Sequence, residues 1–382
     1  MYLLNSPLRF LCVAPSVALA EEGSRMIQKL ISIQSVTIAC GAQRWYNLII
    51  PHKGKSQKIV FIYRNRMHDH FIRPNIPLRD HTSIKVGGNA AYFSEVDTVE
   101  DLLFLVDWAN QEKVPFFVLG GGTNLIFSDK GYEGLVIKVT GKKFSLLPGN
   151  RIVAEAGASM ADLVEFAVQH NLSGLEWAGG LPGTVGGAIR GNAGAFGGEM
   201  KDAITRVAVL APDTNQVEIL SGDNSKFSYR NSIFKEQGGI VLSAELQLTP
   251  ADDPEKIKSL TEEKIAYRQT FHPMEYPNAG SFFKNINNPQ AIERILYRDN
   301  FLREDVEKKW HHKIPVAVLI AELGLSGKKI GGAEVSRKHA NFIVNAKGAS
   351  AEDIVITSGI IKNKMQSIYG ILLEEEVEFT GF

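Results

Sequence analysis

Cysteine is nearly absent from this 382-residue sequence: there are two, Cys12 and Cys40, and none beyond. Everything downstream is therefore closed to a disulfide framework, a thiolate zinc site, a cysteine-held iron–sulfur cluster and a cysteine nucleophile. An excess of one charge is missing too, with 42 basic against 42 acidic side chains, which removes the electrostatic footprint of a nucleic-acid binder. No apolar run reaches the roughly 18 residues that a membrane-spanning helix needs. Hydrophobic residues at 44% and charged residues at 22% match an ordinary folded domain. The length leaves room for two or three domains of about 100–200 residues. What is abundant is glycine, with 35 copies unevenly placed.

Residues 1–66 show no hydrophobic period and no dense glycine. Arg9, the apolar stretch 10–20 and Ala18-Leu19-Ala20 match a secretory signal only superficially, because one positive charge precedes a short run that Pro15 interrupts. Gly54-Lys55-Ser56 resembles the end of a phosphate-binding P-loop, but Ile49 stands where the leading glycine is required, so it reads as a solvated basic loop. We expect a poorly structured extension over 1–66, with Met67 as the expected true start.

Regular signals begin after Met67. Thr98 opens a capping box, Leu102, Leu105, Val106 and Ala109 repeat at helical spacing, and Val114-Pro115 ends the helix. The apolar run 116–119 then predicts a strand that leads into Gly120-Gly121-Gly122-Thr123-Asn124. A second unit repeats this logic: residues 151–156 alternate like a strand, and Ser159 caps a helix with Met160, Leu163, Val164 and Ala167 on one face. Next comes the densest glycine region, ten glycines between Gly174 and Gly198. Residues 207–210, 216–220 and 240–248 predict antiparallel strands. Asp253-Pro254 opens a polar helix to about Arg268, prolines 273 and 277 mark a linker, and a third unit runs from about 280 to 369 before a terminal strand over 371–379.

Glycine lets backbone approach a ligand closely, and consecutive N–H groups in such loops form concave nests for phosphate oxygens. Two such loops, with Thr123, Asn124, Thr184 and Asn192 as neutral hydrogen-bonding groups, suit a dinucleotide phosphate. Neither fits the Rossmann or Walker pattern. No His, Asp and Glu cluster has metal spacing, and no essential metal is expected.

Several motifs resemble, in order and spacing, the UDP-N-acetylenolpyruvoylglucosamine reductase family. They are His81-Thr82-Ser83 before Lys85-Val86-Gly87-Gly88, the 120–124 loop, Leu181-Pro182-Gly183-Thr184-Val185-Gly186-Gly187-Ala188, Asn192 through Glu199, Tyr229 through Lys235, Ala279 through Asn285, and Ile330 through Phe342. The resemblance covers roughly residues 68–382. It implies an α+β chain with an FAD-binding fold of the vanillyl-alcohol oxidase/p-cresol methylhydroxylase type and a C-terminal substrate-binding α+β domain. The implied division is 67–139 with a C-terminal strand from 370–382 (FAD subdomain 1), 140–250 (FAD subdomain 2) and 251–369 (substrate domain). It also implies non-covalent FAD, NADPH as co-substrate and a UDP-sugar substrate, in a cytoplasmic monomer that touches neither membrane nor nucleic acid. Cofactor contacts would come from Gly120, Gly121, Gly122, Thr123, Asn124, Gly183, Thr184, Gly187, Ala188, Asn192 and Gly194.

Hydride attack on an enolpyruvyl ether pushes charge onto the α-carbon and its carboxylate. That chemistry needs a fixed cation, a hydrogen-bond donor and an acid. The family motifs put Arg230, Glu376 and Ser281 in these roles. Arg offers a planar fork that stays charged, whereas Glu376 can donate only if burial or nearby negative charge raises its pKa. Tyr229, Lys284, Asn285 and His339 are the further substrate-binding candidates. Three departures from the family pattern stand out: Glu378 where the terminal motif often has arginine, Asn278 for a common serine and Phe196 for a common tyrosine. Another flavin oxidase of the same fold, or a flavin-free nucleotide-sugar binder, remain the alternatives.

Overall fold

The computed structural model describes residues 72–299 and 301–382, together with three short strands, Thr37–Cys40, Arg44–Asn47 and Lys58–Val60. The last of these strands pairs antiparallel with Gln216–Ser221, so part of the segment expected to be poorly structured extends a sheet. The signal-like stretch 10–20, the 54–56 loop and Met67 lie outside the described residues.

The first unit is a four-stranded sheet in the order Arg73–Pro77, Asn89–Val96, Tyr132–Val139, Phe116–Leu119. Tyr132–Val139 runs parallel to both of its neighbours. Parallel pairing demands a crossover, and the helix Val99–Glu112 supplies it. Thr98 caps that helix by accepting from the Asp101 N–H, and Lys113 ends it in the left-handed region. Its buried face, Leu102, Leu105, Val106 and Ala109, packs with Leu135 and Ile137 of the sheet. Full burial of such side chains contributes about 1.5–3 kcal/mol each. The 120–124 loop leaves the C-terminal end of a parallel strand, the edge where open α/β sheets present ligand crevices.

The second unit is antiparallel. From its inner edge the strands run Gln216–Ser221, Ile204–Ala211, Ile240–Gln247, Arg151–Glu155, Phe144–Leu147. Helix Met160–Gln169 buries Met160, Leu163, Val164 and Ala167 in this unit's core, as its spacing predicts. The third unit holds helices Pro289–Arg298, Val316–Glu322 and Ala351–Tyr369 around a small three-stranded sheet, over a core that also takes in Ile84, Val86 and Ile126 of the first unit.

The chain end differs from its sequence pattern. Only Glu378–Thr380 is a strand, parallel to Leu125–Phe127 immediately after the first glycine loop. Residues 374–377 instead run irregularly along 282–284, where the Lys284 N–H donates to Glu374 O and the Glu376 N–H to Phe282 O, both at 2.9 Å.

Candidate active site

Arg230 occupies a tight turn in which the backbones of Ser228 and Asn231 exchange hydrogen bonds at 3.0 and 3.1 Å. Its φ of +57° is left-handed, a conformation that costs a non-glycine residue about 1–2 kcal/mol. Buried Ser232 anchors the turn, its Oγ donating to Arg190 O at 2.7 Å. Strain held in place by its surroundings is the mark of a side chain whose direction matters. From this turn Arg230 Nη2 donates to Gly194 O at 2.7 Å, and Nε lies 2.6 Å from Glu376 Oε1, although its N–H is not aligned on that oxygen. Tyr229 stacks beside the guanidinium, 5.4 Å from ring centre to Cζ.

Glu376 reaches this point from the chain end. Its backbone bond to Phe282 puts it on the same narrow ladder as Ser281, the neighbour of Phe282. Asn341 completes the other side: its backbone carbonyl accepts from Phe282 N–H at 2.7 Å, its Oδ1 from Phe283 N–H at 3.0 Å, and its Nδ2 donates to Phe283 O at 2.8 Å. An asparagine thus stands in for a missing strand and holds the two residues that follow Ser281. Gly280, at φ +77°, makes the bend just before it. Burial pushes the Glu376 carboxyl above the usual carboxylate range, against the pull of Arg230, Lys235 and Lys284. The arrangement therefore holds a carboxyl that keeps its proton to higher pH than an exposed glutamate, beside a permanent cation.

The two glycine loops meet. A Cβ on Gly121 would sit 3.0 Å from Gly183 Cα, and one on Gly183 2.8 Å from Thr123 Oγ1. Among the described residues, no protein acceptor meets the N–H groups of Gly121, Gly122 or Thr123. The second loop behaves otherwise: the Val185 and Gly186 N–H groups donate to Ala158 and Ala156 carbonyls, Gly187 to Thr184 Oγ1 and Ala188 to Thr184 O. The expectation that both loops form phosphate nests is corrected for the second, whose N–H groups are taken by backbone and side-chain acceptors of the protein. The first loop offers donors, and the second closes on itself and presents Gly183 and exposed Gly187 as a smooth wall.

Asn192 is also corrected. It is fully buried, its Nδ2 donating to Glu199 Oε2 and Ser228 O and its Oδ1 accepting from Lys201 N–H, so it organises the site from behind and has no face for a cofactor. Asn124 is exposed and bonds the chain end, Nδ2 to Glu376 O at 2.9 Å. Lys284 pairs with Glu374 at 3.1 Å. The Asn285 N–H donates to Tyr229 Oη at 3.4 Å, while Asn285 Oδ1 accepts from Val316 N–H. His339 packs with His272 and Phe342, and burial holds its pKa below the usual range.

Sequence reasoning passed over three charged groups that the fold brings here. Lys313, from the long stretch after Ile286, lies 4.0 Å over the Tyr229 ring. Arg190 and Lys235 both meet Glu378 Oε1. The charge departure at Glu378 was the available signal for that pair.

The family model for the C-terminal domain of UDP-N-acetylenolpyruvoylglucosamine reductase matches residues 272–380, and an FAD binding domain matches 90–220. The UDP-N-acetylenolpyruvoylglucosamine reductase of Caldanaerobacter subterraneus subsp. tengcongensis is 38% identical over 307 residues, covering 80% of this chain and 93% of that protein. The chain belongs to the UDP-N-acetylenolpyruvoylglucosamine reductase family. The relative of the same name from Syntrophomonas wolfei is 37% identical over 81% of this chain and 95% of its own. The crystal structure of the Thermus caldophilus reductase aligns with a TM-score of 0.65 at 30% identity, over 81% of this chain and all of that one. The fold is therefore that of the family's FAD-binding unit with a C-terminal substrate domain. For this reductase, the unengaged N–H groups of the first loop and the side-chain-free wall of the second fit the diphosphate of FAD. Gly121, Gly122, Thr123 and Asn124 are the residues that would hold it.

Proposed function

We propose that this chain catalyses the NADPH-dependent reduction of the enolpyruvyl group of UDP-N-acetylglucosamine enolpyruvate to UDP-N-acetylmuramate, a step of peptidoglycan precursor synthesis, with Arg230, Ser281 and Glu376 carrying the chemistry. Bound FAD supplies a two-electron carrier between NADPH and substrate. Arg230 binds the substrate carboxylate and keeps its charge as electron density arrives there. Glu376, protonated, donates to the same oxygens; its largely buried carboxyl and its contact with Arg230 suit that role. The Ser281 hydroxyl delivers the proton to the α-carbon. Serine is a weak acid in water, but the enolate is strongly basic and the transfer is over a fixed short distance. Tyr229 and Lys284 line the sugar-nucleotide side.

The observation that carries this reading is the convergence of Arg230 and Glu376, 2.6 Å apart, on the ladder that holds Ser281. Among the described residues no helix is long and apolar enough to cross a membrane. A monomer working in the cytoplasm completes the proposal. The test is anaerobic stopped-flow mixing of NADPH-reduced protein with the enolpyruvyl substrate. Rapid return of oxidised-flavin absorbance is expected, and its absence would refute the assignment.

A further inference from the structure

Arg190 is the last residue of the helix Val185–Arg190, which Thr184 of the second glycine loop opens. Its Nη1 lies 2.5 Å from Glu378 Oε1, and Lys235 Nζ lies 3.3 Å from the same oxygen. Glu378 begins the terminal strand, and its N–H donates to Asn124 O of the first loop at 3.1 Å. The Arg190 carbonyl accepts from Ser232 Oγ, just before the helix Ile233–Gln237 that carries Lys235. Arg190 thus sits at the far end of the helix that the second loop opens and is joined to the first loop through Glu378.

Other cations near the site have different duties. Arg230 is held by Glu376 and Gly194, Lys284 by Glu374, Lys201 by Glu199, and Lys313 lies on Tyr229. The Arg190 side chain keeps 40% of its surface exposed, and among the described residues no acceptor meets its Nε or Nη2. A guanidinium clamped on one nitrogen, with its remaining donors open beside a cofactor crevice, is built to meet a negative group there.

We propose that Arg190 is the cation that stabilises the negative charge on the reduced ring of FAD, with Glu378 as its positioning residue. The proposal rests on the FAD-dependent reading above. Hydride from NADPH brings two electrons and one proton to a neutral ring, leaving one negative charge delocalised at the pyrimidine end. A fixed cation there favours the reduced form over the oxidised one. The FAD diphosphate carries the same charge in both redox states, so a cation aimed at it changes affinity without changing the potential.

The experiment uses the full chain reconstituted with FAD, in wild-type, Arg190→Met, Arg190→Lys and Glu378→Gln forms. It reads the dissociation constant of oxidised FAD by fluorescence and the midpoint potential by spectroelectrochemical titration. For Arg190→Met, the reduced form should lose about tenfold more affinity than oxidised FAD, the loss of a charge-assisted bond. That ratio lowers the midpoint of a two-electron couple by about 30 mV. Arg190→Lys should recover most of the fall. Glu378→Gln should also lower the potential, against the rise that removing a negative charge gives by itself; a rise there overturns the positioning role. Equal weakening of both redox forms by Arg190→Met, with the potential unmoved, assigns Arg190 to the diphosphate and overturns the proposal. No change in either quantity does the same. If Arg190→Met does not fold, a potential unmoved in Glu378→Gln refutes it. Wild-type reduced flavin that the enolpyruvyl substrate fails to reoxidise would strike the reductase reading alone and leave these potentials meaningful.

Discussion

Gly122→Ala should disable the first glycine loop before any ligand is considered. Gly122 has φ +62°, and an added Cβ would sit 2.2 Å from the His81 carbonyl oxygen and 3.1 Å from Thr82 Cα. Both are backbone atoms, so neither can swing aside. Left-handed backbone costs alanine about 1–2 kcal/mol. Forcing the two segments apart adds about 1–3 kcal/mol. The same movement strains the Ser83 N–H and Oγ bonds to Gly122 O, at 3.0 and 3.3 Å and worth about 0.5–1.5 kcal/mol each. The sum, about 3–8 kcal/mol, is a large part of a typical folding free energy of about 5–15 kcal/mol. Gly149 provides the control: φ is +81°, yet nothing lies within 4 Å of an added Cβ, so Gly149→Ala should cost only the backbone strain. Urea midpoints of the apoproteins by circular dichroism, with FAD affinity by fluorescence, make the comparison. Equal midpoint shifts in the two variants would refute the close-approach argument.

Ser281→Ala should leave flavin reduction by NADPH nearly unchanged and slow substrate reduction by orders of magnitude in anaerobic stopped flow; equal loss in both half-reactions contradicts a proton donor. Burial, with His339 and Arg268 nearby, pushes His272 down to about 4. The unfolded chain therefore takes up this proton first as pH falls below about 6.5, and stability should decline from there to about pH 4 by at most about 3 kcal/mol. His272→Phe should flatten that part of the stability curve, and an unchanged slope between pH 6.5 and 4 would exclude His272 as its source. A chain beginning at Met67 should fold and bind FAD as the full chain does, although it uncovers the Gln216–Ser221 edge that Lys58–Val60 pairs with; loss of FAD binding would show that the extension is needed.

The helices were legible because their caps and periods are local. Thr98, Ser159 and Asp253 each accept the N–H three residues on, at helix starts the sequence marks. Residues 371–379 misled because apolar alternation describes a strand, whereas the partner there is the irregular edge 282–284, which Asn341 already occupies on its other side. Asn192 misled for a related reason. A polar residue among glycines reads as ligand-facing, and only the fold shows Glu199, Ser228 and Lys201 closing around its amide. Arg230 and Glu376 could be named by motif, but their 2.6 Å approach joins residues far apart in the chain. Arg190 and Glu378, 188 positions apart, left only the charge departure at Glu378 as a signal, with nothing local to mark Arg190.

The terminal strand sets an order of events during synthesis. Asn124 and Glu376 are 252 positions apart, and Glu378–Thr380 lies against the strand that directly follows the first glycine loop. A nascent chain can build the crossover helix, both sheets and both glycine loops while this flank is still open, because closing so long a loop waits on the last residues to arrive. The acid–cation pair is therefore completed in one late step, together with the strand that flanks the first glycine loop. A polypeptide cut short by its last seven residues would keep the first glycine loop and most of the fold yet lack Glu376, leaving the cation without its acid.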